Sequence, residues 1–152
     1  MSEKGRVYAW ENNQYGQIGN GSDKNVWEPL DITSRFGDKQ IIMIKAGWEQ
    51  SFALASDGTL FAWGHNNSCQ LGLGDQTDRS TPTIVSGIDG QIVSLATDSH
   101  TLALTSDGKL YSWGLNDSGQ LGRETNNASW WATMSNMTTL RNWLKQALAV
   151  TG

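Results

Sequence analysis

Three segments of this 152-residue chain end alike, and that repetition constrains the fold more than any single residue does. Arg6-Val7-Tyr8-Ala9-Trp10 is followed by ENNQYGQIG. Thr59-Leu60-Phe61-Ala62-Trp63 is followed by GHNNSCQLG, and Lys109-Leu110-Tyr111-Ser112-Trp113 by GLNDSGQLG. The tryptophans lie 53 and then 50 residues apart, and other positions keep the register. Pro29 and Pro82 are 53 apart, and Ser56-Asp57-Gly58 recurs 50 residues on as Ser106-Asp107-Gly108. Self-similarity of this period marks a solenoid, a propeller or an array.

Each unit reads as short strands. Ser51 to Ala55 and Thr59 to Trp63 alternate in the manner of half-buried strands, with Asp57-Gly58 as the hairpin turn between them. A two-residue turn of that kind puts both central residues at positive φ, and the third copy repeats it around Asp107-Gly108. Ile41 to Ile44 and Ile92 to Ala96 read as more buried strands. The segments holding Pro29 and Pro82 read as outer strands, where a missing N–H is tolerated. Four short strands per roughly 50 residues is the arithmetic of a propeller blade. In the loop after each tryptophan, Gly72, Gly119 and Gly122 permit backbone conformations that a side chain forbids. Leu121 plugs a gap between blades, and the Gln120 amide satisfies backbone groups of the loop.

Trp113 to Gly122, WGLNDSGQLG, and the Thr101–Gly108 segment before it resemble the regulator of chromosome condensation repeat. The second copy departs once, with Cys69 in place of glycine. The first has Glu11 for the glycine after Trp10 and Ile18 for leucine; Gln50 stands where His100 keeps the histidine of the pattern. The resemblance covers about residues 4 to 134 and implies a β-propeller of about seven blades. This chain supplies fewer: a half blade over residues 4–35 and full blades over 40–87 and 91–134. The expected fold is all-β, a partial β-propeller of about 2.5 four-stranded antiparallel blades over 1–134, with a C-terminal amphipathic helix over 135–152. Met137, Leu140, Trp143, Leu144, Ala147 and Leu148 carry the helical spacing.

The chemical candidates are few. Eleven basic against fifteen acidic residues give a net charge of −4, which disfavours nucleic acid as a partner. No apolar run approaches a membrane span, and the first residues show no signal-peptide pattern, so a cytoplasmic or virion setting is expected. The single cysteine and the two histidines offer no metal set. His65 reads as an exposed polar loop residue, His100 as a packing residue, and five Asn-x-Ser/Thr triplets, among them Asn66 and Asn116, as composition. No catalytic, cofactor or metal site is expected. An open arc leaves two blade faces uncovered, which points to other protein chains, copies of itself or a larger scaffold. Trp130, Trp131, Leu140, Trp143 and Leu144 are the expected contact region; Trp63 and Trp113 are expected to be buried between blades, with Trp10 similar but at the ragged first half blade. The expected function is a non-enzymatic structural or protein-interaction module, for example a virion (phage) subunit. The alternative implied by the resemblance is guanine-nucleotide exchange on a small GTPase.

Overall fold

The computed structural model describes residues 5–123 and 128–134. Its ten strands form three antiparallel sheets. The first holds β1 (Tyr8–Glu11) and β2 (Val26–Asp31), followed by a 3₁₀ turn at Thr33–Phe36. The second runs β3 (Ile41–Ala46), β4 (Gln50–Ala55), β5 (Leu60–Gly64) and β6 (Arg79–Val85), in that order. The third runs β7 (Ile92–Thr97), β8 (His100–Thr105), β9 (Leu110–Gly114) and β10 (Ser129–Met134). These are the outer half of one blade and two complete blades. Pro29 and Pro82 lie on outermost strands, as a residue without a ladder donor must. The expected C-terminal helix, with Leu140, Trp143 and Leu144, lies outside the described residues.

The two complete blades share their register. Ser51 faces Trp63 as Thr101 faces Trp113, and Gln50 faces Gly64 as His100 faces Gly114. Their first pairs carry bulges at equivalent places, between Ile41 and Met43 and between Ile92 and Ser94. The hairpin turns differ from expectation. Gly58 is left-handed (φ 89), but Asp57 is not. Gly58 N–H donates to the Ala55 carbonyl, and Ala55 N–H to the Thr59 carbonyl. This is a three-residue loop closed by a left-handed glycine, and Gly108 (φ 84) repeats it. Aspartate prefers it because its carboxylate accepts the Thr59 N–H at 3.0 Å while its own backbone stays unstrained.

Period-two alternation sends the middle blade's side chains to two cores. Ala53, Ala55, Phe61 and Trp63 pack toward the half blade, against Val7, Ile18, Ile32 and Phe36. Phe52, Leu54, Leu60 and Ala62 pack toward the third blade, against Leu95, Ala103, Tyr111 and Trp113. The 3₁₀ turn sets Phe36 edge-on to Trp63 at 5.6 Å. The middle blade is thus covered on both faces. Among the described residues the third blade is covered on one, and Leu104, the counterpart of the buried Leu54, is exposed.

Candidate interaction surface

Each joint between blades is built from the tryptophan of one blade and the post-tryptophan loop of the blade before it. Trp63 Nε1–H donates to the Gln17 carbonyl at 2.7 Å, and Ser51 Oγ–H donates to the same oxygen at 2.9 Å. One joint later, Trp113 Nε1–H donates to the Gln70 carbonyl at 2.9 Å and Thr101 Oγ1–H at 3.0 Å. Gly19 and Gly72 lie under the two indoles. A Cβ on either would fall 2.7 Å from the indole nitrogen, so only glycine lets the ring approach. Both are left-handed as well (φ 82 and 70).

The loops hold that shape through buried asparagines and through glutamines. Asn13, Asn66 and Asn116 are fully buried. Their Oδ1 atoms accept the N–H groups of Ile18, Leu71 and Leu121 at 2.9, 3.0 and 2.9 Å. Asn66 Nδ2 donates to the carbonyls of Asp75 (2.9 Å) and Thr77 (3.1 Å), and Asn13 Nδ2 to those of Ser22 and Lys24. Gln17, Gln70 and Gln120 each accept, through Oε1, the N–H two residues earlier. Burial at Asn66 and Asn116 leaves those triplets inaccessible in the folded chain.

The two departures from the glycine pattern keep the glycine backbone. Glu11 and Cys69 are the non-glycine residues with positive φ among the described residues, at 81 and 60. Glu11 follows Trp10 as Gly64 (φ 103) follows Trp63 and Gly114 (φ 97) follows Trp113. Cys69 is buried, which pushes its thiol pKa up and leaves little thiolate. Gln50, at the histidine position, reaches across the joint and donates to Thr97 Oγ1 (3.0 Å) and to the Asp98 carbonyl. His100 is half-buried, and burial lowers its pKa. His65 departs from the expected exposed loop residue. It stacks on Tyr15 at 4.0 Å, and its Nδ1 lies 2.9 Å from Glu49 Oε2, because the neighbouring blade's loop lands on it. Among the described residues, no group of three or more His, Cys, Asp or Glu is placed to hold a metal ion.

Among the described residues, the arc has no further joint at either side. Trp63 and Trp113 are buried, but Trp10, on the half blade, is 48 % exposed. The reason is positional: no described element precedes β1 to supply the covering loop. Among the described residues, β1 also has no inner partner of the kind that β5 finds in β4 and β9 in β8. A cavity of about 370 Å³ opens beside it, lined by Tyr8, Trp10, Glu11 and, across the gap, Ala46, Trp48 and Gln50. Trp48 and Trp27 are 84 % and 80 % exposed. At the other end, Trp131 lies partly exposed over Gly74, where it would overlap any side chain, and bridges to Leu73. Arg123 pins β10 by donating to Ser129 Oγ (3.0 Å) and Ser112 Oγ (2.8 Å). The Trp130 side chain lies outside the described set.

Two models of the regulator of chromosome condensation (RCC1) repeat match, one over residues 4–54 and 57–104, the other over 41–70 and 93–120. The chain belongs to the RCC1 repeat family. Among curated relatives with RCC1-type similarity, the ultraviolet-B receptor UVR8 of Arabidopsis thaliana is 37% identical over 89 residues, 58% of this chain and 20% of the receptor. The probable E3 ubiquitin-protein ligase HERC4 of Homo sapiens is 36% identical over 92 residues, 60% of this chain and 9% of the ligase. The chain thus spans a fifth or less of these relatives. Human WBSCR16 superposes with a TM-score of 0.76 at 23% identity, covering 88% of this chain and 35% of that one. Yeast RCC1 (Prp20), solved with Kap60 bound, gives 0.73 at 27% identity, covering 90% and 34%. A further structure of Prp20p from Saccharomyces cerevisiae, described with its binding to Gsp1p and histones, gives 0.76 at 22%. The RCC1 repeats of this chain therefore carry the propeller fold in an arc about a third as long as those solved propellers.

Proposed function

We propose that this RCC1 repeat segment is a non-enzymatic protein-interaction module whose open ends are covered by protein in its working state. The observation that carries the reading is the contrast between Trp10 and its counterparts: the same residue in the same strand position is buried twice and half-exposed once. A large aromatic at an uncovered joint is the kind of side chain that dominates interface energetics. Trp131, exposed on the third blade beside the Leu73–Gly74 loop of the middle blade, belongs to the proposed contact region, together with Trp130, Leu140, Trp143 and Leu144 of the sequence. The assembly is cytoplasmic or part of a virion in this reading.

Binding of a hydrophobic dye and the native mass, measured together on the purified chain at micromolar concentration, test it. Uncovered ends bind dye, and mutually covered ends raise the mass. A stable monomer that binds no dye would overturn the reading. Nucleotide exchange on a small GTPase is supported only by fold-level likeness to Prp20p. Its test is release of labelled GDP from a small GTPase by the chain.

A further inference from the structure

Among the described residues, the two ends without a neighbouring blade carry matching parts of one joint. The half blade presents the tryptophan side: Tyr8 and Trp10 occupy the positions of Phe61 and Trp63, and of Tyr111 and Trp113. The third blade presents the loop side. Gln120 and Gly122 occupy the positions of Gln17 and Gly19, and of Gln70 and Gly72. Gly122 is left-handed (φ 67), like Gly19 and Gly72, and Gln120 ties its own loop through Ser118, as its counterparts do. Leu104 stands exposed where Leu54 is buried against the following blade. The receiving loop is therefore already folded at one end of the molecule, and the residue it receives twice elsewhere is exposed at the other.

From this we infer that a second copy of the chain covers these ends, head to tail: Trp10 of one copy seats on the Gln120–Gly122 loop of the next. Its indole N–H donates to the Gln120 carbonyl, as Trp63 donates to Gln17 and Trp113 to Gln70. The contact repeats the tryptophan-to-loop part of an interface made twice within the molecule; the hydroxyl that Ser51 and Thr101 add there comes from an inner strand that the described half blade does not have. The two patches differ, so the interface is heterologous and each copy keeps one free end for a further copy. This inference rests on the interaction-module reading and narrows it to one partner.

Complementation of blocked ends tests it. Trp10→Glu blocks the tryptophan side. Gly122→Asn blocks the loop side: asparagine accepts the left-handed backbone, but its Cβ stands where 2.7 Å separates the counterpart Cβ from the indole nitrogen. Leu104→Glu is a second loop-side block on an already exposed position. Folding of each variant is checked by its thermal melt. Sedimentation at micromolar concentration reads the outcome. The unsubstituted chain gains mass with concentration, and each variant alone stays at 16.6 kDa. An equimolar mixture of Trp10→Glu with either loop-side variant gives a species of about twice that mass and none larger, because each contributes one intact face. Three results overturn the inference: an unsubstituted chain that stays monomeric, variants that associate like it, or a mixture that does not pair. The first, with dye still bound at the ends, leaves the interaction-module reading standing with a different protein as partner.

Discussion

The indole N–H of Trp113 donates to the main-chain carbonyl of Gln70, 2.9 Å away and on the neighbouring blade. That bond and its counterpart at Trp63 cross the joints between blades, together with the Ser51 and Thr101 hydroxyls and the Gln50 amide.

Truncation should separate the three tryptophans. Trp113→Ala deletes a fully buried ring and orphans its acceptor, and should cost about 3–5 kcal/mol. Trp10→Ala, at a half-exposed position, should cost about 1 kcal/mol or less in a monomeric chain. Urea unfolding of both variants measures the difference. Equal costs would mean that Trp10 is covered in solution.

Restoring glycine at the position after Trp10 should stabilise the fold. Glu11 holds a left-handed backbone, at a cost of about 1–2 kcal/mol for a residue with a Cβ. Glycine loses about 0.5–1 kcal/mol through its greater freedom in the unfolded chain. Glu11→Gly should therefore gain about 0.5–1 kcal/mol net, visible as a higher melting temperature. Cys69→Gly should gain less, since it also deletes a buried sulfur.

Asn66→Ala should be among the more damaging polar substitutions. It leaves the Leu71 N–H and the Asp75 and Thr77 carbonyls without their partner. About 2–3 kcal/mol is expected, at the level of a buried group left unpaired. Hydrogen exchange at the Leu71 amide, fast in the variant and slow in the parent, reports the loss directly.

Acid should loosen the hairpin tips. The Lys39 ammonium and then the Thr59 backbone N–H lower the Asp57 pKa to about 2. Asp107 is lowered to about 2 by the Thr105 hydroxyl and then by Lys109. Because the folded values lie below the ordinary 3.8, both groups favour the folded state above about pH 4. That contribution is lost as the pH falls through about 2. Carboxyl chemical shifts followed from pH 5 to 1.5 would show both midpoints near the bottom of the range, and Asp57→Asn should flatten the pH dependence of stability there. A midpoint near 4 for Asp57 would mean that the contact with Lys39 is absent in solution.

Strand placement was legible because burial and register share one period: the spacing of Trp10, Trp63 and Trp113 located β1, β5 and β9 within a residue or two. The glycines of the loop were legible for the same reason. The turn at Asp57-Gly58 was placed correctly but given the wrong backbone. A dipeptide does not say how many residues close the hairpin, and the hydrogen bond from Gly58 to Ala55 decides that. The partnership of His65 with Tyr15 and Glu49 was not legible, because its members come from two blades and share no spacing rule. The acceptor role of the Gln17 and Gln70 carbonyls was hidden too, since a main-chain oxygen carries no residue code.

Because, among the described residues, the middle blade is covered on both faces and the others on one, the described arc has a protected interior and two softer margins, as a zipper does. Every joint links only adjacent units, so opening has nowhere to begin but at a margin. A change in the number of units would lengthen or shorten the array without altering any joint that remains. Such a molecule is graded along its length: amides of β4 and β5 should exchange last, those of β1 and β10 first, and a single melting temperature averages over the gradient.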